Sequence, residues 1–595
     1  MIPNALVTHR VLSFPESEPV GWIDIQHWRS QVDEPWITSD ELLRAGDWQR
    51  LGAAQGRVEI PANQAVRLRL NGKTSLDFLA RLSSNDIQDI IQDLTIRNAG
   101  ITDSDLYYLR HLTGLRSLDL WGTRVTPEGF HHLGYLHGLE HLAWSNIDST
   151  FDPLHTLQVD LSFLTPLSNL KSLRISAPGL AGAMLRHLRE LPALRILRLI
   201  NFRELDEVGW QHIAELSALR VLTFAGEHVD ETALVNLSKL NDLEELDLST
   251  TSYVDGQALH HLRAMHRLKA LSLYQVHRGI YEEHLKPLQH LPALEFVGYS
   301  GSDTLSDTGL EYLAHIPSLR HLDISGDLQT VPEYTERGLE QLQYVSQLET
   351  LNLSFTAARS QGLKVLRMLK HLRELYLSGT ELEDNSLEFL KSLEELRILQ
   401  LNDTDVTDEG LVHLAGLKNL EELHLENTRT TGAGLRALVG LTKLHTLSVG
   451  NLLATSGFET ESLAVLAKNS IKVLTINNGR SPVGPTIALF PELQNLSLFG
   501  MSLSRQDARE IALLPQLRFL HLINGSIDVQ GIEHLSTLRN LQILHLDQAK
   551  IPERAVSTLG KLQQLEVLSL WDTLITGREL AELRKILPNC QVLGS

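Results

Sequence analysis

The chain has 595 residues, 43% hydrophobic and 21% charged, which excludes a disordered chain and supplies apolar material for a long core. Its 53 Lys and Arg face 73 Asp and Glu, a formal charge of −20 that repels phosphate backbones and anionic lipid, so neither nucleic acid nor a membrane is an expected partner. Residues 1–20 carry Glu16, Glu18 and prolines where a secretion signal needs an apolar run, no stretch of roughly 18 apolar residues occurs, and the single Cys590 can form no internal disulfide; a cytoplasmic location is expected.

Residues 1–61 show no repeat but hold Trp22, Trp28, Trp36 and Trp48, and are expected to form an N-terminal cap or a small module. Residues 62–586 repeat one template. Val66-Arg-Leu68-Arg-Leu70 reads as a capping strand. Then L-x-x-L-x-L-x-x-T recurs, as Leu115 to Thr123, Leu396 to Thr404, Leu420 to Thr428 and Leu565 to Thr573. Behind it comes V/I-T-D-x-G-L-x-x-L-x-x-L, for example Val406 to Leu417. The L-x-L part alternates with the period of a strand, and the G-L-x-x-L part has the spacing of a helix face. Thr407 ahead of Asp408 and Glu409, and Thr126 ahead of Pro127, are helix starts. The intervals from Leu142 to Leu173, Leu322 to Leu351 and Leu447 to Leu474 are long enough to hold surface loops, with 326–334 the first to examine for a binding role. Residues 587–595 read as a C-terminal cap strand in which Cys590 occupies a leucine position and is buried and inert.

These motifs closely resemble the leucine-rich-repeat family over about nine tenths of the chain. The family most often has Asn where Thr123, Thr251, Thr356, Thr380, Thr404, Thr428 and Thr573 stand, and the pattern is similar to threonine-type repeats common in bacterial proteins. A hydroxyl there can bond the neighbouring loop's backbone. The resemblance implies an α/β fold, a right-handed horseshoe solenoid with a parallel concave sheet and outer helices. It also implies a non-enzymatic scaffold that binds a protein or peptide through the concave face.

No phosphate-loop, nucleophile-elbow, HExxH or CxxC string occurs, so no catalytic residue and no cofactor is assigned. The pairs His131-His132 and His260-His261 lack matching acids or cysteines, and no metal ligand is assigned. The outward positions of the strands nominate Trp121, Tyr274, Glu374, Tyr376, Asn402, Glu422, His424, Glu426, Phe499, His521, Ile523, His545 and Trp571 for partner binding. Between His371 and Thr430 there are 14 acids and 5 bases, which suits a partner with a basic surface. Two other readings stay open: a sensing or regulatory subunit whose activity lies in another chain, and an enzyme with an unrecognised site.

Overall fold

A computed structural model describes residues 10–14, 21–27, 49–55, 57–60, 64–70, 76–82, 90–96, 100–146, 161–176, 181–202, 205–226, 228–276, 279–301, 305–327, 331–332, 334–359, 361–453, 457–480, 482–587 and 590–594. They form two compact units, Met1–Ile280 and Tyr281–Ser595, on one plan.

In the first unit, strands from Gln64–Leu70 to Ala270–Ser272 pair in parallel, each with the next repeat's. The register carries Leu68 through Leu94, Leu118, Leu142, Leu173, Leu197, Leu222 and Leu246 to Leu271. In the second unit, strands from Phe296–Gly298 to Gln591–Leu593 carry the same column from Val297 through Leu322, Leu351, Leu375, Leu399, Leu423, Leu447, Leu474, Leu496, Leu520, Leu544 and Leu568 to Val592. Every residue of these columns is buried, most to 0% or 1% exposure. No repeat covers its own leucines, so each strand is held by its neighbours, and each buried leucine contributes roughly 1.5–3 kcal/mol.

At the N-terminus, Gly21–His27 pairs antiparallel with Gln64–Leu70, Gln49–Ala53 pairs with Gly21–His27, and Arg10–Ser13 with Arg57–Ile60. Trp22 lies on Gly21–His27; Trp28, Trp36 and Trp48 lie outside the described residues.

The return segments close as short helices, some α, as in Asp307–Ala314, and some the tighter 3₁₀ form, as in Asp384–Ser392. Their T-D-x-G motif does more than start a helix. Thr407 accepts a hydrogen bond from the Glu409 N–H, as a cap does, while its own N–H and hydroxyl donate to the two oxygens of Asp384 in the preceding repeat, at 2.7 and 2.5 Å. Thr431 binds Asp408 in the same way, Thr335 binds Asp307 and Thr126 binds Asp103. The glycine is needed for clearance: a Cβ on Gly338 would sit 2.6 Å from Asp307 Oδ1. The motif is therefore a staple between consecutive repeats.

The threonines that end the strands behave differently from expectation. Thr123, Thr356, Thr380, Thr404, Thr428 and Thr573 donate to the carbonyl three residues earlier in their own repeat, at 2.6–2.9 Å; only Thr251 reaches the neighbouring repeat, at the Phe224 carbonyl, 3.2 Å away. A short hydroxyl closes its own turn, where a longer amide would reach across. The residue before it takes a left-handed conformation, as in Asp403, Asn427 and Gly379. At Gly379 a side chain would also strike the Phe355 ring, 2.5 Å from its Cδ1.

One further expectation needs correction. The register sets Val592 against Leu568, so Cys590 falls beside Glu566 and not at an inward leucine; it is only partly covered, although burial still pushes its thiol up to about 12. In the segment 326–334, Tyr334 turns inward: it is buried, its hydroxyl donates to the Ile324 carbonyl at 3.3 Å, and burial holds the phenol protonated well above its usual range. Residues 147–160 of the first long interval lie outside the described residues. Among the described residues no helix is long and apolar enough to cross a membrane.

Candidate partner-binding face

Because side chains alternate along a strand, every repeat sends one set to the leucine core and one to the open face of its sheet. In the first unit the described open-face charges are partly neutralised by one another. Arg67 pairs with Asp93 at 3.0 Å and Arg69 with Asp24 at 2.8 Å, while burial raises the Asp93 carboxyl despite its arginine partner. Trp121 is half-buried beneath the Arg174 guanidinium, 3.9 Å from its ring centre. Tyr274 is half-buried, its carbonyl accepting from the Thr250 N–H. These two candidates lie at opposite ends of the run of strands from Ser117–Thr123 to Ala270–Ser272 and form no common site. The basic run from Lys171 to Arg198 is also divided: Arg174 and Arg198 are register neighbours on the open face, whereas exposed Lys171 pairs with Glu140 and exposed Arg189 with Glu190.

The second unit gathers its candidates into two stretches. In the first, His321, Thr350, Glu374, Ile398, Glu422 and Thr446 follow one another in register, and beside them run Asp323, Asn352, Tyr376, Gln400, His424 and Ser448. The Tyr376 hydroxyl donates to Glu374 at 3.1 Å, the Thr350 hydroxyl to Glu374 at 3.3 Å, and Asn402 accepts the Glu426 N–H at 2.8 Å. Burial and the carboxylates of Glu374, Glu422 and Asp323 push the Tyr376 phenol far above its ordinary value, so it stays a hydrogen-bond donor. His424 lies 3.1 Å from the Ser448 hydroxyl and 3.8 Å from Glu422. The acidic stretch is thinner here than its composition suggests. Glu374, Glu422 and Glu426 face the open side, while Asp384 and Asp408 serve as staples and Glu381, Glu388, Glu395 and Asp405 pair with arginines.

The second stretch is built of rings. Asn477, Phe499 and Ile523 are register neighbours, as are Ser497, His521 and His545, and Asn495, Phe519, Ile543 and Val567. His521 lies edge-on to Phe499, Phe519 and His545, with ring centres 5.5, 5.7 and 5.0 Å away, and Phe519 lies 5.3 Å from His545. Burial beside His545 drives the His521 imidazole down to about 4 against the opposing pull of Asp547, so it is neutral at pH 7. Trp571 is 47% exposed at one end of this stretch.

Sequence reasoning missed an acid on this face and an exposed leucine elsewhere in the second unit. Asp547 stands two positions after His545 and hence on the same face; the H-x-D spacing signalled it. Leu453 is 87% exposed, on the segment where Asn451 accepts the Leu453 N–H and donates to the Thr428 carbonyl. The long interval from Leu447 to Leu474 was its signal.

Residues 158–387 match the family model described as a leucine-rich repeat region. This stretch is a leucine-rich-repeat region. Solved leucine-rich-repeat structures resemble the chain at low identity. An internalin of Listeria monocytogenes is 19% identical, with 62% of this chain and 92% of that one covered, at a TM-score of 0.37. A leucine-rich-repeat protein of Leptospira interrogans is 18% identical over 86% and 98%, at 0.36. The mouse RP105/MD-1 complex matches at 16% over 88% and 94%, at 0.47. No curated protein matches the sequence.

Proposed function

We propose that this protein is a non-enzymatic scaffold that binds a protein or peptide through the concave, open sheet face of residues 281–595. The observation that carries this reading is the ring stretch, where Phe499, His521, Phe519 and His545 touch one another in register with Ile523 and Ile543, and Trp571 stands exposed. An apolar patch on a sheet face is a recognition surface more readily than a structural one. The neighbouring Glu374, Glu422 and Glu426 select the occupant's chemistry: a polypeptide with Lys or Arg beside aromatic or aliphatic anchors. The overall charge of −20 favours such a partner over nucleic acid or anionic lipid. In this reading residues 1–61 cap the first repeat and residues 587–595 the last, and the lone cysteine suits the cytoplasm.

The test is selection of a random peptide library on the full chain. Enriched peptides should combine basic and apolar residues, and their association should slow as salt rises from 0.1 to 1 M, where the Debye length falls from about 10 to about 3 Å. Enrichment without basic residues, or an on-rate indifferent to salt, would contradict the reading.

A further inference from the structure

We propose that His521, His545 and Asp547 form a binding site for a zinc-like divalent cation on the open sheet face. The three offer one ligand atom each, all within 4.8 Å of one another. The scaffold sets this geometry. His521 and His545 are paired in register on adjacent strands, and Asp547 follows His545 by two positions, on the same face.

Several features distinguish this trio from an ordinary surface cluster. His521 Nε2 is buried with no hydrogen-bond partner, and it lies 4.0 Å from Asp547 Oδ2. A buried polar atom left in this way is costly unless something satisfies it. The carboxylate is already oriented: its Oδ1 accepts the Ser569 hydroxyl at 2.6 Å and the Trp571 N–H at 2.8 Å, which turns Oδ2 toward the imidazole. Such bonds to the far side of a ligand fix its direction and raise metal affinity. The flanking Phe499 and Phe519 rings lower the local polarity around the nitrogens.

Two imidazole nitrogens and one carboxylate oxygen are the donors of zinc and its borderline neighbours, whereas magnesium and calcium require oxygen alone. Zinc–nitrogen bonds of about 2.0–2.1 Å put tetrahedral ligands about 3.3 Å apart, so the trio, within 4.8 Å in this structure, closes by up to about 1.5 Å through side-chain rotation. Three protein ligands leave a fourth position for water, as in other three-ligand zinc sites. Uptake involves no change of oxidation state, and neutral imidazoles release no proton on binding. The site requires only the fold, and stands or falls separately from the partner proposed above.

The experiment is calorimetric titration of the metal-free full chain with Zn2+, beside His521→Ala and Asp547→Asn, with Mg2+ as a control and thermal melting to confirm folding. One zinc per chain should bind at a site that each variant weakens by at least about tenfold, since losing a ligand costs no less than losing a group that orients one. Mg2+ should neither bind there nor compete. Co2+ in place of Zn2+ should show visible bands of a low-symmetry site in the wild type and not in Asp547→Asn. The isosteric Asp547→Asn decides the matter if His521→Ala fails to fold. No zinc uptake by the wild type, or equal affinity in wild type and Asp547→Asn, would overturn the proposal.

Discussion

The stretch from Glu374 to Glu426 and the stretch from Phe499 to Trp571 lie on the same sheet with the same register, yet their open faces are held differently. In the first, polar groups are bonded to each other: the Tyr376 and Thr350 hydroxyls to the Glu374 carboxylate, and the Glu426 backbone N–H to the Asn402 side-chain oxygen. In the second, rings meet edge to face and His521 Nε2 has no hydrogen-bond partner. Beneath both, the core is identical, with Leu375, Leu399 and Leu423 as deeply buried as Leu520 and Leu544. The inward leucines and the staples thus repeat through both stretches, while the outward columns differ, polar in one and aromatic in the other.

The largest expected effect falls on the shared part. Leu399→Ala should destabilise the chain by about 2–5 kcal/mol through the cavity it opens, read by denaturant unfolding, and a loss under about 1 kcal/mol would place this leucine outside the core. Asp384→Ala, which removes the acceptor of the Thr407 N–H and hydroxyl, should cost about 1–3 kcal/mol in the same assay while leaving both open stretches unaltered. A smaller effect separates the stretches by pH. His321, at the edge of the acidic stretch, is held below its ordinary pKa by burial, although Glu349, Glu374 and Glu295 pull the other way. The unfolded chain therefore takes up a proton at this site before the folded chain does, and its contribution to stability is lost as pH falls below about 6.5. His321→Gln should flatten the fall of the melting temperature between pH 7 and pH 5, and an unchanged slope would show that His321 titrates normally.

Much of this was legible from the residues, because a leucine every 24 positions or so admits one register, and Leu94 to Leu568 took it. What was not legible depends on the distance between repeats. Thr407 read as a helix cap, but its bond to Asp384 spans 23 positions and exists only once the repeats stack. Thr404 looked able to reach its neighbour, yet its hydroxyl bonds Leu401 in its own turn. Cys590 fitted a leucine position until pairing set Val592 opposite Leu568. The candidates Phe499, His521 and Ile523 were visible as outward positions, whereas Asp547 escaped notice because an acid beside a histidine carries little meaning until His521 is seen on the adjacent strand. Trp121 was likewise visible as an outward position, but its contact with Arg174 was not, because that arginine stands on a strand two repeats along.

The separation of binding from stability is tested most directly by the double variant Phe499→Ala and Trp571→Ala. Its affinity for the basic, apolar peptides selected on the wild type is measured beside its thermal transition. The account predicts binding weakened by at least about 2 kcal/mol with the transition nearly unmoved, as for exposed anchor residues. Unaltered binding, or a transition that collapses with it, would contradict the account.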